Sequence, residues 1–165
     1  MSKVSVVMGS DRDFDIMKEA VEILQEAGVK VEVKVMSIHK SPEKTIAYAK
    51  ALDKQETEVI IAGAGAAFHL AGVIAGLTTI PVIAVPLALP PFQGWDALLS
   101  SLQMPAGIPV AVMSVGKWGA KNAALFALRI LALKDANLQQ FLLHHREKLA
   151  KEVEEKENRV KKCRE

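Results

Sequence analysis

Cysteine is nearly absent from this chain of 165 residues, and the single one, Cys163, lies in a charged C-terminal tail. An internal disulfide is therefore excluded, and a reducing, cytoplasmic setting is expected. Cys163 reads as a bystander rather than a nucleophile, since no histidine lies near it in sequence. Also missing is any uninterrupted apolar stretch of about 18 residues or more, so no membrane span is expected. The first strand-like pattern begins almost at once, leaving no room for a secretory leader. Charge of one sign is not in excess either: the formal net charge is +2, with acids and bases intermixed, which disfavours nucleic acid or a membrane surface as the main partner. There is no cysteine pair, no His-Glu-x-x-His and no carboxylate cluster on one turn, so no metal site is expected. Ser10 lacks the surroundings of a nucleophile elbow, which sets aside a hydrolase triad.

What the chain does have is apolar residues, at 50% of the total and a mean hydropathy of +0.19. Strands buried on both faces, or extensive subunit contacts, produce such a bias. Val4–Met8 reads as a first strand, followed by the polar turn Gly9-Ser-Asp-Arg-Asp13 and a helix of 3.6-residue periodicity from Phe14 to Ala27. Asp13 is the expected N-cap and Gly28 the terminator. Strict alternation of Val29, Val31, Val33 and Val35 with charged residues predicts a strand near the sheet edge. Ser41-Pro42 starts a second helix, running to about Lys54. Val59–Ala62 is a third strand, Leu70–Leu77 a small-residue helix, Pro81–Pro86 a fourth strand and Pro109–Ser114 a fifth. Between the last two strands, Asp96–Leu102 is expected to form a short helix. Helices from about Ala120 to Leu133 and from about Ala136 onward complete the chain.

Five βα units with short connections predict one α/β domain over 1–165, with a core of about 3–133 and a helical extension of about 135–165. The expected architecture is a three-layer αβα sandwich around a parallel sheet of about five strands, flavodoxin-like in arrangement. The terminal helix carries an amphipathic stripe through Leu138, Phe141, Leu142, Leu149, Val153 and Val160, suited to its own subunit or a neighbouring one.

In such folds ligands bind beyond the carboxyl ends of the strands, where 9–13, 37–40, 63–69 and 87–95 are expected to lie. Gly63 and Gly65 are read as allowing a sharp turn and close approach to a ligand, with His69 in the first turn of the next helix. Ser10 and the helix start beside it suit a phosphate or a ribose equally with plain N-capping. Arg12 either adds charge to an anion site or points to solvent. His39 has the chemistry of an acid–base group and Lys40 that of an anion partner, although a His-Lys pair also suits an ordinary surface turn. His69, flanked by Phe68 and Leu70, equally fits a packed or capping residue. Trp95 and Trp118 are candidates for ring stacking, at least one being expected in a core or an interface.

Taken together, Met8-Gly-Ser-Asp-Arg-Asp13, Ser37-Ile-His-Lys-Ser-Pro42, Ile60-Ile-Ala-Gly-Ala-Gly65 with His69-Leu70, and Pro81-Val-Ile-Ala-Val-Pro86 resemble the N5-carboxyaminoimidazole ribonucleotide mutase family. Gln103-Met-Pro-Ala-Gly-Ile-Pro-Val110 and Asn122-Ala-Ala-Leu125 extend the resemblance. It implies a cofactor-free and metal-free transfer of CO2 from N5 to C4 of an aminoimidazole ribonucleotide, in an octamer. By the same resemblance His39 is the acid–base residue, with His69 nearby. Gly63, Ala64, Gly65, Ala66 and Ala67 hold the carboxylate and CO2, with Leu70 beside them. Gly9, Ser10, Asp11, Arg12, Asp13, Ser37 and Lys40 hold phosphate and ribose. The chain departs from the family pattern at Arg12, Ile38, Lys40, Ala66, Phe68, Ala71 and Pro90-Pro91. Lys40 is familiar in related direct carboxylases, which is one alternative, together with a paralogue acting on another nucleotide. A fold-sharing nucleotide binder without chemistry is another, motivated by crowding from Ile38, Ala66 and Phe68.

Overall fold

A computed structural model describes residues 3–52 and 54–162; Cys163 lies outside the described residues. The strands are β1 (Lys3–Met8), β2 (Lys30–Val35), β3 (Thr57–Gly65), β4 (Val82–Leu87) and β5 (Ala111–Val112). The helices are α1 (Phe14–Glu26), α2 (Pro42–Leu52), α3 (Leu70–Ala75), α4 (Trp95–Leu102), α5 (Lys117–Leu131) and α6 (Ala136–Lys162), and a 3-10 turn at Asp11–Asp13 precedes α1. All strand pairs are parallel, in the order β2-β1-β3-β4-β5. That order is the flavodoxin-like arrangement, and its switch point lies between β1 and β3.

The sheet separates two apolar layers because its strands alternate. Val4, Val6, Met8, Val59, Ile61, Ile83 and Val85 pack towards α1 and α5, while Val7, Ile60, Ala62, Val82 and Ala84 pack towards α2, α3 and α4. Continuous apolar runs are what a strand covered on both faces requires. Ser5, fully buried in β1, is satisfied by the Tyr48 hydroxyl of α2 at 2.8 Å. Burial pushes the Tyr48 phenol up to about 12, against the pull of that hydrogen bond. On the other face, Glu19 of α1 meets Lys117 and Lys121 of α5 at 3.4 and 3.3 Å. The alternating strand β2 does lie at the sheet edge, and Lys3 of β1 reaches its Glu32 at 2.9 Å.

Several expected boundaries change. Asp13 makes no side-chain cap to α1; instead its carboxylate accepts from Ser10 N–H at 2.9 Å, within a capping box that Ser10 closes on the 3-10 turn. Gly28 does end α1 with φ +76°. The Ser41 hydroxyl donates back to the Ser37 carbonyl as α2 begins at Pro42. Pro86 lies inside β4 rather than at its end, and β5 is only two residues long.

The largest correction concerns Gly63 and Gly65. The backbone does not turn there; β3 stays paired with β4 as far as Gly65 opposite Leu87. The turn falls on Ala66, at φ +54°. A Cβ on Gly63 would overlap the thioether of Met17 from α1, and one on Gly65 would come within 2.6 Å of Leu89. These glycines let side chains lie directly on the strand. Gly63→Ala is therefore expected to lower stability by about 1–3 kcal/mol, the usual cost of overpacking. Ala66→Gly is expected to raise it by up to about 1 kcal/mol, because relief of the left-handed strain exceeds the added chain entropy. Denaturant unfolding of both variants checks the opposite signs; equal midpoints would remove the packing argument.

Candidate active site

The turns after β1, β2, β3 and β4 meet over the β1/β3 switch point around a pocket of about 250 Å³. Gly9, Ser10 and Asp13 line it from the first turn, and Met36, Ser37, Ile38, His39 and Lys40 from the second. Ala64, Gly65, Ala66, Ala67 and Leu70 line it from the third, and Leu89 from the fourth. Of the residues selected from sequence, Asp11, Arg12, Gly63 and His69 are not in this lining. Gly63 supports it from below, its carbonyl accepting from Gly9 N–H at 3.1 Å. Met36, Ile38 and Leu89 line it without having been selected as site residues. Position directly after a strand end was the available signal for Met36, and the loop after β4 for Leu89.

His39 and His69 meet directly. Nε2 of His39 lies 2.9 Å from Nδ1 of His69, with the rings edge-on at 71°. At such a contact one ring donates and the other accepts, so at least one imidazole is neutral. His69 is the residue before α3 and makes no side-chain cap to it, which leaves the ring free for this pairing. Phe68, expected to crowd the site, turns the other way: it is 1% exposed within the layer that contains Ile60, Ala62 and Ile74.

The first turn is a hydrogen-bonded unit. Ser10 Oγ donates to Asp11 Oδ1 at 3.0 Å and accepts, at 3.4 Å, from Arg12 N–H, so this serine caps the 3-10 turn. The hydroxyl of Ser10, followed by the Arg12 backbone N–H, holds Asp11 below the usual carboxylate range. Asp13 is shifted the opposite way: burial raises it, against the N–H groups of Ser10 and Gly9. Because its folded-state value is raised, ionised Asp13 costs the fold stability above that value, and the cost is relieved as pH falls through it. In the second turn Lys40 N–H donates to Ser37 Oγ at 3.2 Å and the lysine side chain is exposed.

A larger cavity of about 470 Å³ lies at the other end of β4 and β5, lined by residues such as Thr78, Ile80, Pro81 and Pro109, with no titratable side chain in its lining. Among the described residues no group of three His, Cys, Asp or Glu side chains is placed to hold a metal ion. Trp95 and Trp118 fill no core: they are 65% and 79% exposed, and neither lines the pocket.

Comparison with known proteins bears on the family and the fold. A family model described as AIR carboxylase matches residues 3–152. The N5-carboxyaminoimidazole ribonucleotide mutase of Pyrococcus horikoshii is 48% identical over 157 residues, covering 95% of this chain and 88% of that protein. The Thermotoga maritima protein of the same name is 41% identical over 160 residues, covering 97% of this chain and 92% of its own length. Among solved structures, Treponema denticola PurE superposes with a TM-score of 0.87 at 28% identity, covering 96% of this chain and 98% of that one. With the sheet order, the switch-point pocket and a match running through nearly the whole chain, this protein belongs to the AIR carboxylase family.

Proposed function

We propose that the switch-point pocket binds an aminoimidazole ribonucleotide and moves its carboxyl group from N5 to C4. The observation that carries this reading is the His39–His69 pair, 2.9 Å apart, beside a pocket of about 250 Å³ floored by small residues. Relatives that bear the mutase name support it. The reaction exchanges two groups: the N5–carboxyl bond breaks, a carbon–carbon bond forms at C4, and one proton passes from C4 to N5. His39 carries that proton, since imidazole both accepts and releases one near neutrality. His69 orients the His39 ring, its Nδ1 lying 2.9 Å from His39 Nε2. The backbone from Gly63 to Ala67 excludes water around the freed CO2. The turn from Gly9 to Asp13, with Ser37 and Lys40, holds ribose and phosphate. No cofactor or metal takes part in this scheme, and its setting is cytoplasmic.

Lys40 keeps a second reading open, direct carboxylation of the uncarboxylated ribonucleotide by CO2. The non-catalytic binder loses one of its three motives, because Phe68 packs into the core, while Ile38 and Ala66 do line the pocket. The chain acts as a homo-oligomer, an octamer by family resemblance. Support comes from Trp95, Leu99 and Leu102 on one face of α4, all more than half exposed.

His39→Asn is expected to lower turnover by roughly 10²–10⁴-fold while ribonucleotide affinity stays within a few-fold, as loss of an acid–base group should. Turnover assays with calorimetric binding decide this; unchanged turnover would remove His39 from the reaction. Incubation of the uncarboxylated ribonucleotide with bicarbonate separates the two enzymatic readings, product appearing at a useful rate only for a direct carboxylase. Native mass spectrometry is expected to give a multiple of the 17.9 kDa chain. A monomer at micromolar concentration would overturn the oligomer.

A further inference from the structure

The segment that delivers His69 is short and strained, and something outside it must hold it. Ala66 sits at φ +54°, a conformation that alanine keeps only where its surroundings over-determine it. Two residues later, Phe68 anchors the chain twice. Its ring is buried against α3 and the sheet, and its backbone N–H donates to Ser100 Oγ at 3.2 Å. Ser100 belongs to α4, 32 residues further along the chain. Its hydroxyl also donates to the Ala97 carbonyl at 3.2 Å, which turns an oxygen lone pair towards the Phe68 N–H. A donor on so buried a residue requires a partner, and this hydroxyl supplies it. The next side chain along is His69, whose ring meets His39.

We infer that Ser100 is a positioning residue: from α4 it holds the 66–69 turn so that His69 stays within hydrogen-bond reach of His39. Ser100 does not line the pocket, and its hydroxyl is engaged by the Phe68 N–H and the Ala97 carbonyl. Its effect is carried through the Phe68 backbone. This inference rests on the reading of the pocket as a carboxyl-transfer site, but the tether itself is measurable without turnover. The neighbouring Ser101 provides the control. It is buried on the same helix, yet its hydroxyl donates to the Ala97 and Leu98 carbonyls, within α4.

The test compares full-length Ser100→Ala, Ser100→Thr and Ser101→Ala proteins. Amide exchange at Phe68 is expected to be about ten-fold faster in Ser100→Ala, from loss of one hydrogen bond at a local opening, and unchanged in Ser101→Ala. The kcat for interconversion of the N5- and C4-carboxylated ribonucleotides is expected to fall roughly ten-fold in Ser100→Ala, as misplacement of a catalytic group does, with KM within about two-fold. Ser100→Thr, which keeps the hydroxyl, restores most of kcat. Unchanged Phe68 exchange, an equal kcat loss in Ser101→Ala, or a change in KM alone would overturn the inference. If the wild-type protein shows no interconversion, the mutase reading fails by itself. The imidazole ¹⁵N signals of His39 and His69 then decide: a shift in Ser100→Ala supports the tether and no shift refutes it. Ser100→Cys, similar in size with a weaker acceptor, gives the same readouts if Ser100→Ala does not yield folded protein.

Discussion

The close seating of side chains on β3 is the constraint from which the site follows. β3 is hydrogen-bonded to β1 on one side and β4 on the other, and it runs on to Gly65 while β1 ends at Met8, opposite Gly63. Met17 lies on Gly63 and Leu89 on Gly65. Because neither glycine carries a side chain, α1 can approach the strand from one direction and the loop after β4 can fold down over its end. The strand end is thereby fixed between two neighbours, and the change of direction is displaced to Ala66. A left-handed alanine costs about 1–2 kcal/mol. It is tolerated because Gly65 before it is locked into the ladder and Phe68 after it is locked into the core. Rigid pairing on one side and a buried ring on the other let a short turn present a histidine to a neighbouring loop.

The same arrangement sets the electrostatics of the pocket. Asp11 and Asp13 are two residues apart, yet their carboxyl groups shift in opposite directions. Asp11 points to solvent and is held down by the Ser10 hydroxyl, whereas Asp13 turns inward, where burial outweighs its backbone donors. A capping box thus does more than start a helix. By folding Asp13 back onto Ser10 N–H, it places a partly desolvated carboxylate in the lining that the His39 turn shares.

Much of this was legible in the sequence, and the misreadings have a common cause. Alternation in 29–35 marked an edge strand, and the βα rhythm gave the sheet its handedness and put four turns on one edge. Those are local or topological rules, which one sequence carries in full. Gly63 and Gly65 were misread as a turn because spacing alone does not distinguish glycine needed for its backbone freedom from glycine needed for its missing side chain. That distinction depends on Met17 and Leu89, 46 and 24 residues away from them. Phe68 was misread as an obstacle for a similar reason: which side of the turn it faces depends on a left-handed Ala66 that propensity argues against. The His39–His69 hydrogen bond joins residues 30 apart on separate turns, so the sequence offered two histidines near one edge and no sign that they touch.

The apolar excess of the chain is only partly used within one subunit. The proximal part of α6 packs on the main core through Leu138, Phe141 and Leu142. Leu149, Val153 and Val160 continue at spacings of four and seven residues along the remainder of the helix, all about half exposed or more. A helix in water gains little from propensity alone and draws most of its stability from packing of its apolar face. The distal turns of α6 lack that support from the subunit as described, although their side-chain pattern is the one a covered helix needs. The exposed face of α4 poses the same problem nearer the pocket, since the loop that leads into it carries Leu89 and its inner side carries Ser100. Trp95, Leu99 and Leu102 thus lie exposed on the same short helix whose Ser100 hydroxyl accepts from Phe68 N–H, so the outer face of α4 and the turn that carries His69 share one element.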